Sequence, residues 1–140
     1  MKTKNFIFLE HTADIKFQAY GKNIEEAFEN SALALKESIC GKIKIKKKQK
    51  KKVKVKGNDP ESLLYNFLEE FLYLVDAENF LVKKIENLKI TKKDFTLDAT
   101  IIGDKASDYE FTNDVKAITY NEMFIKKENN KYTAQVVLDV

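Results

Sequence analysis

The chain has 140 residues, 44% of them hydrophobic, with ten Phe, six Tyr and no Trp, a balance that suits one globular domain over 1–140 with a buried core. Its formal charge is +3, and every one of its 25 basic residues is lysine. No run approaches the ~18 apolar residues of a membrane-spanning helix, and a single cysteine, Cys40, excludes an internal disulfide.

The first residues carry lysines but lack the apolar stretch and small-residue cleavage site of a secretory signal. With one cysteine, the expected compartment is the reducing cytoplasm. Phe6 to Leu9 and Ile15 to Tyr20 read as two strands around a short polar break, His11-Thr12-Ala13-Asp14. After Gly21-Lys22, Asn23 and Glu26 give a capping-box signal. The helix that follows carries Ile24, Ala27, Phe28, Ala32, Leu35 and Ile39 at helical spacing. Cys40 ends that apolar face and is expected to pack as a small hydrophobe rather than act as a nucleophile.

Ten lysines then fall within 42–56, a stretch without one acidic residue; removing them from +3 leaves −7 for the remainder. Ile43 and Ile45 alternate with lysines, as do Val53 and Val55, which predicts a hairpin turning at Lys47-Lys48-Gln49-Lys50. Two readings stay open for Lys46, Lys47, Lys48, Lys50, Lys51 and Lys52. Outward lysines on an edge hairpin deter strand-to-strand aggregation. The same block is also an electrostatic patch for tRNA or an acidic partner. The absence of Arg argues against sequence-specific base readout, which favours a bidentate fork.

Asp59 as N-cap and Pro60 at the first helical position mark a second helix, whose apolar face runs through Leu63, Leu64, Phe67, Leu68, Phe71, Leu72 and Val75. Glu69 and Glu70 fall on its wetter side. Phe80 to Ile90 and Phe95 to Ile102 read as a hairpin pair, and Gly103 to Asn113 as a polar, mobile connection. Val115 to Tyr120, Met123 to Lys127 and Tyr132 to Leu138 complete a set of mixed or antiparallel strands, with a turn at Glu128-Asn129-Asn130-Lys131. The pattern is α+β, with two main amphipathic helices and no internal repeat or linker.

Catalytic signatures are missing. Four glycines leave little material for a phosphate loop, and one histidine, His11, allows neither a zinc cluster nor a histidine pair. The informative features are the two ends. Ala134, Val136 and Leu138 close a strand pattern at Asp139-Val140, which would place an α-carboxylate beside the Asp139 side chain. Clustered oxygen ligands of this kind suit hard cations such as calcium and magnesium. Asp14 would complete a small cation site if the fold joins the two ends. Read singly, Asp14 serves equally as a turn carboxylate, and His11 as a turn residue that orients its neighbour.

Several stretches together resemble the archease family. They are Phe8-Leu9-Glu10-His11-Thr12-Ala13-Asp14-Ile15, Ala19-Tyr20-Gly21, Glu25-Glu26-Ala27-Phe28-Glu29-Asn30 with Ala32-Leu33-Ala34-Leu35, Leu63-Leu64-Tyr65-Asn66-Phe67-Leu68-Glu69-Glu70 with Leu74, Val115-Lys116-Ala117-Ile118-Thr119-Tyr120 and Ala134-Gln135-Val136-Val137-Leu138-Asp139-Val140. The resemblance implies a small cytoplasmic α+β protein that binds a divalent cation, calcium in crystals, with magnesium or manganese as alternatives. Carried over residue by residue, it assigns the ligands to Asp14, Asp139 and Val140. It further implies a non-enzymatic cofactor of the GTP-dependent tRNA-splicing RNA ligase that promotes guanylylation and turnover. A second implied role is chaperone-like modulation of a tRNA cytosine-5 methyltransferase. His11, Lys116 and Thr119 are expected near the site or the docking face. Two departures stand out: Asn121 where members often carry His after the Thr-Tyr pair, and Asp76-Ala77-Glu78-Asn79 where a Gly-containing turn is common.

Overall fold

The computed structural model describes residues 5–10 and 13–140. Among them the elements run β1 (Phe6–Leu9), β2 (Ile15–Gly21), α1 (Ile24–Cys40), β3 (Gln49–Lys56), α2 (Pro60–Glu78), β4 (Phe80–Thr91), β5 (Thr96–Lys105), a 3-10 turn (Ala106–Asp108), β6 (Ala117–Glu128) and β7 (Lys131–Asp139). The strands form two antiparallel sheets, ordered β1-β2-β7-β6 and β3-β5-β4. Each helix touches both sheets, α1 chiefly β2 and β4, α2 chiefly β6, β4 and β3. The helices therefore form a layer onto which each sheet packs one face. One hydrophobic cluster joins the layers, with Phe17 of β2, Phe28 of α1, Phe67 of α2 and Leu97 of β5 all without exposed surface.

Local signals explain both helix starts. The Asn23 side chain accepts from the Glu26 N–H at 2.8 Å, while the Glu26 carboxylate accepts from the Lys22 N–H at 3.1 Å. The Asp59 side chain accepts from the Ser62 N–H at 2.7 Å, and the Ser62 hydroxyl in return accepts from the Asp59 N–H at 3.1 Å. That reciprocal pair ties down two otherwise unpaired donors, as a capping box does. At the other end of α2, Asn79 takes the left-handed conformation (φ 52°). Its side chain donates to the Ser107 hydroxyl and accepts the Ser107 N–H at 2.8 Å. Asn is the residue besides Gly that visits this region readily, which explains how the turn dispenses with glycine. Asn129 and Asn130, both at positive φ, form the two-residue β6–β7 turn.

Three expectations are corrected. The lysine block is not a hairpin: 42–48 carries no strand, and β3 pairs with β5 from Gln49↔Gly103 to Lys56↔Thr96. Ile45 is buried and anchors the preceding coil, whereas Ile43 is exposed. Local alternation located the strand at 53–56 but said nothing of its partner, which comes forty or more residues later. The 103–113 stretch is not a loose connection. Gly103 to Lys105 finish β5, and a Cβ on Gly103 would lie 2.0 Å from the Leu81 carbonyl oxygen, so only glycine admits the β4 approach. Asp104 is buried and accepts the Tyr109 hydroxyl at 2.7 Å. Finally, the strands expected at 115–120 and 123–127 are one strand, β6, whose pairing with β7 jumps from Thr119↔Val137 to Phe124↔Gln135.

Candidate cation and docking site

β2 and β7 run antiparallel, and their ladder includes Phe17↔Val136 and ends at Ile15↔Leu138. One step beyond, Asp14 and Asp139 project from the same end of the four-stranded sheet. Like charges set opposite each other on neighbouring strands repel, a cost a bound cation would remove. Asp139 is exposed, Asp14 and Val140 half-buried. The Asp139 carbonyl accepts the Lys116 N–H at 2.8 Å, so the end of β7 is held by the start of β6.

Asp14 also lines a cleft of about 870 Å³ with Glu10, Lys16, Glu37, Ser38, Lys42 and Asn113. The C-terminal end of α1 supplies one wall. Its Gly41 cap has φ 71°, and no basic residue stands in the last turn. The exposed carbonyls of a helix end carry partial negative charge, which favours a cation there. Part of that potential is already used: the Ile39 carbonyl accepts from the Thr112 N–H at 2.8 Å, and the Ser38 carbonyl from the Asn113 side chain at 2.9 Å. Glu37, Ser38 and Asn113 escaped the sequence reading. Nothing in their local pattern announces that the 112–113 segment closes over the end of α1.

The donor set around Asp14 is oxygen-rich and suits a hard cation, but among the described residues no three His, Cys, Asp or Glu side chains converge as a preformed metal cluster. A site at this end would draw on Asp14, Asp139 and Val140 together. His11 lies outside the described residues. Thr119 donates its hydroxyl to the Val137 carbonyl at 2.9 Å, which occupies it in strand pairing. Lys116 lines a separate groove with Glu69, Glu70, Tyr73 and Asp76 beside α2. Glu69 is exposed, whereas Glu70 is half-buried, and burial, with the Glu78 carboxylate nearby, raises its carboxyl above the ordinary range. Next to this groove Tyr65 stacks on Tyr120 with ring centroids 4.2 Å apart, and Asn121 follows on an exposed, irregular part of β6. Cys40 is buried, and burial raises its thiol, which keeps it protonated and unreactive.

The lysine patch divides. Lys51 turns inward, bonded to Glu78 at 2.5 Å and set over the Phe80 ring at 5.7 Å. Lys46, Lys47, Lys48, Lys50 and Lys52 stay exposed, with the Lys46 N–H held by the Tyr109 hydroxyl and the Lys48 N–H by the Gly103 carbonyl, each at 3.0 Å.

Comparison with known proteins agrees with this architecture. The model of the Archease protein family (MTH1598/TM1083) matches residues 6–140. Protein archease of Methanosarcina barkeri is 38% identical, covering 98% of this chain and 97% of its own length. That of Pyrococcus abyssi is 42% identical over 98% of this chain and 99% of its own. The solution structure of Methanobacterium thermoautotrophicum protein 1598 is 36% identical and superposes with a TM-score of 0.85, covering 99% of this chain and all of that one (100%). The crystal structure of a Thermotoga maritima archease, described as a possible chaperone, shares the fold at TM-score 0.64 and 18% identity, covering 100% of this chain and 98% of its own. A family match over almost the whole chain, with relatives above a third identical end to end, shows that this chain belongs to the archease family.

Proposed function

We propose that this protein is a metal-binding accessory factor, not itself an enzyme, that activates the GTP-dependent tRNA-splicing RNA ligase by promoting its guanylylation and repeated turnover. Family membership supports the accessory role. The observation that supports the site is the Ile15↔Leu138 register, which sets Asp14 and Asp139 one step further on at the same sheet end, with Asp14 also lining the cleft at the C-terminal end of α1. In this reading Asp14, Asp139 and Val140 hold a divalent cation, with calcium, magnesium and manganese as the candidates. When bound, such an ion supplies electrostatic neutralisation of phosphate charge.

The chain's own residues set up the surface around it. The bond from the Lys116 N–H to the Asp139 carbonyl holds the carboxylate end of β7 against β6. Lys116 also lines the Glu69–Glu70 groove, and the Tyr65–Tyr120 stack stands beside it. Together they make a mixed acidic and aromatic face suited to a protein partner. The test is multiple-turnover ligation by the cognate ligase with GTP and divalent cation. Stimulation by the wild-type protein that is lost in Asp14→Asn and Asp139→Asn supports the reading; full stimulation by both folded variants rejects it.

A second reading is chaperone-like support of a tRNA cytosine-5 methyltransferase, and the description of the Thermotoga maritima relative as a possible chaperone favours it. It predicts protection of that enzyme from aggregation that Asp14→Asn and Asp139→Asn leave intact.

A further inference from the structure

The lysine block plays no part in the cation reading, yet the register of β3 arranges it in a regular way. Val53 and Val55 face the core, so Lys50, Lys52, Lys54 and Lys56 all face outward, and all four are exposed. Across the sheet they stand opposite Ile102, Thr100, Asp98 and Thr96 of β5. From the far strand, Lys84 shares the row of Ile102 and Lys89 that of Asp98. Lys47, on the coil leading into β3, approaches Lys84. Both helices pack on the opposite face of this sheet. The outer face therefore carries seven lysines, offset by Asp98 and by Glu86, which pairs with Lys84 at 2.9 Å.

The crowding is tightest where Lys47 meets Lys84. The neighbouring Lys84 ammonium, by hydrogen bonding and repulsion, pulls Lys47 below the ordinary lysine range. At this contact an anion would relieve the repulsion between the two lysines.

The chemistry of the face selects its partner. Alternate residues on a strand repeat every ~6.8 Å, so four successive outward lysines make a linear row of point charges able to follow an extended sugar–phosphate backbone. Lysine meets phosphate as a point charge and does not read guanine edges with a fork, and the chain has no Arg. Ile102, the apolar residue of this row, is only 5% exposed, so the face lacks the exposed apolar groups that membrane insertion needs. We propose that the outer face of the β3-β5-β4 sheet binds single-stranded RNA through its phosphates, independent of sequence, with Lys50, Lys52, Lys54 and Lys56 as the primary row and Lys84 and Lys89 as the second. This surface is distinct from the Asp14–Asp139 end and acts whether or not the ligase reading holds.

The test measures binding of a labelled oligouridine to the full chain by fluorescence anisotropy across a salt series. Four to six phosphate contacts give a log–log salt slope of about −3 to −4, so affinity falls roughly 50-fold to 300-fold between 50 and 200 mM salt. The quadruple variant Lys50→Gln, Lys52→Gln, Lys54→Gln, Lys56→Gln loses most binding and about 3 units of slope. Changing Lys22, Lys36, Lys105 and Lys131 to Gln removes the same charge elsewhere and leaves most affinity in place. A milder pair, Lys52→Gln with Lys54→Gln, gives an intermediate loss and serves if the quadruple variant unfolds. No binding at low salt, a slope near zero, or equal losses in the two quadruple variants overturns the proposal. Attachment to anionic phosphatidylserine vesicles without RNA binding overturns it as well.

Discussion

Replacing Asp139 by Asn should act in opposite directions with and without a divalent cation. A shared ion site would set the carboxylates of Asp14 and Asp139, one step past the Ile15↔Leu138 pair, against each other once the metal is removed. Facing like charges on adjacent strands cost about 0.2–1 kcal/mol. A chain of this length unfolds with an entropy near 0.3 kcal/mol per kelvin, so relieving the repulsion raises Tm by about 1–3 °C in chelator. With calcium at a hundred times its dissociation constant, binding to the wild type adds about 2.7 kcal/mol. That corresponds to a rise of roughly 9 °C, most of which Asp139→Asn forfeits. The assay is thermal unfolding followed by circular dichroism, in chelator and in a calcium titration. A variant that is less stable in chelator, or that keeps the full calcium shift, refutes the argument that these two carboxylates share an ion.

Other outcomes follow from local geometry. Asp59→Ala removes the α2 cap and should cost about 1 kcal/mol, read as a drop of 3–4 °C in Tm. Asn79→Ala puts a β-carbon in a left-handed position and breaks two bonds to Ser107, and should cost at least 1 kcal/mol in denaturant unfolding; Asn79→Gly should recover part of it. The Tyr109 hydroxyl, and after it the Lys105 N–H, hold Asp104 below the ordinary carboxylate range. Because the folded value is the depressed one, this stability is present above the unfolded carboxylate pKa and is lost as pH falls through the folded value. Tyr109→Phe should therefore flatten the loss of stability on acidification, and an unchanged pH profile of unfolding would contradict the assignment.

Helix starts were legible in the sequence because capping is local: Asn23 with Glu26, and Asp59 with Pro60, sit beside the donors they satisfy. The Asn129-Asn130 turn was legible for the same reason, since residues that accept positive φ are few. Strand partners were not. Val53 and Val55 announce an amphipathic strand, but pairing with β5 rather than with 43–45 depends on which apolar surfaces meet across the helical layer. Asp104 carried no signal either, since a polar residue in an acidic, glycine-bearing stretch reads as solvated until Tyr109 closes over it. Of the site, Asp14 and Asp139 were identified from their places in the chain, and the β2–β7 register brings them to one end. Glu37 and Asn113 enter the same cleft only through the tertiary fold, from elements no local pattern links to it.

If this carboxylate end activates an RNA ligase, repeated turnover of the ligase depends on Asp14 and Asp139. The most direct measurement is the number of ligation turnovers per ligase, with GTP and divalent cation, in the presence of wild-type protein, Asp14→Asn and Asp139→Asn. Several turnovers are expected with the wild type and a return to the unassisted level with either folded variant. Equal stimulation by all three proteins would contradict it.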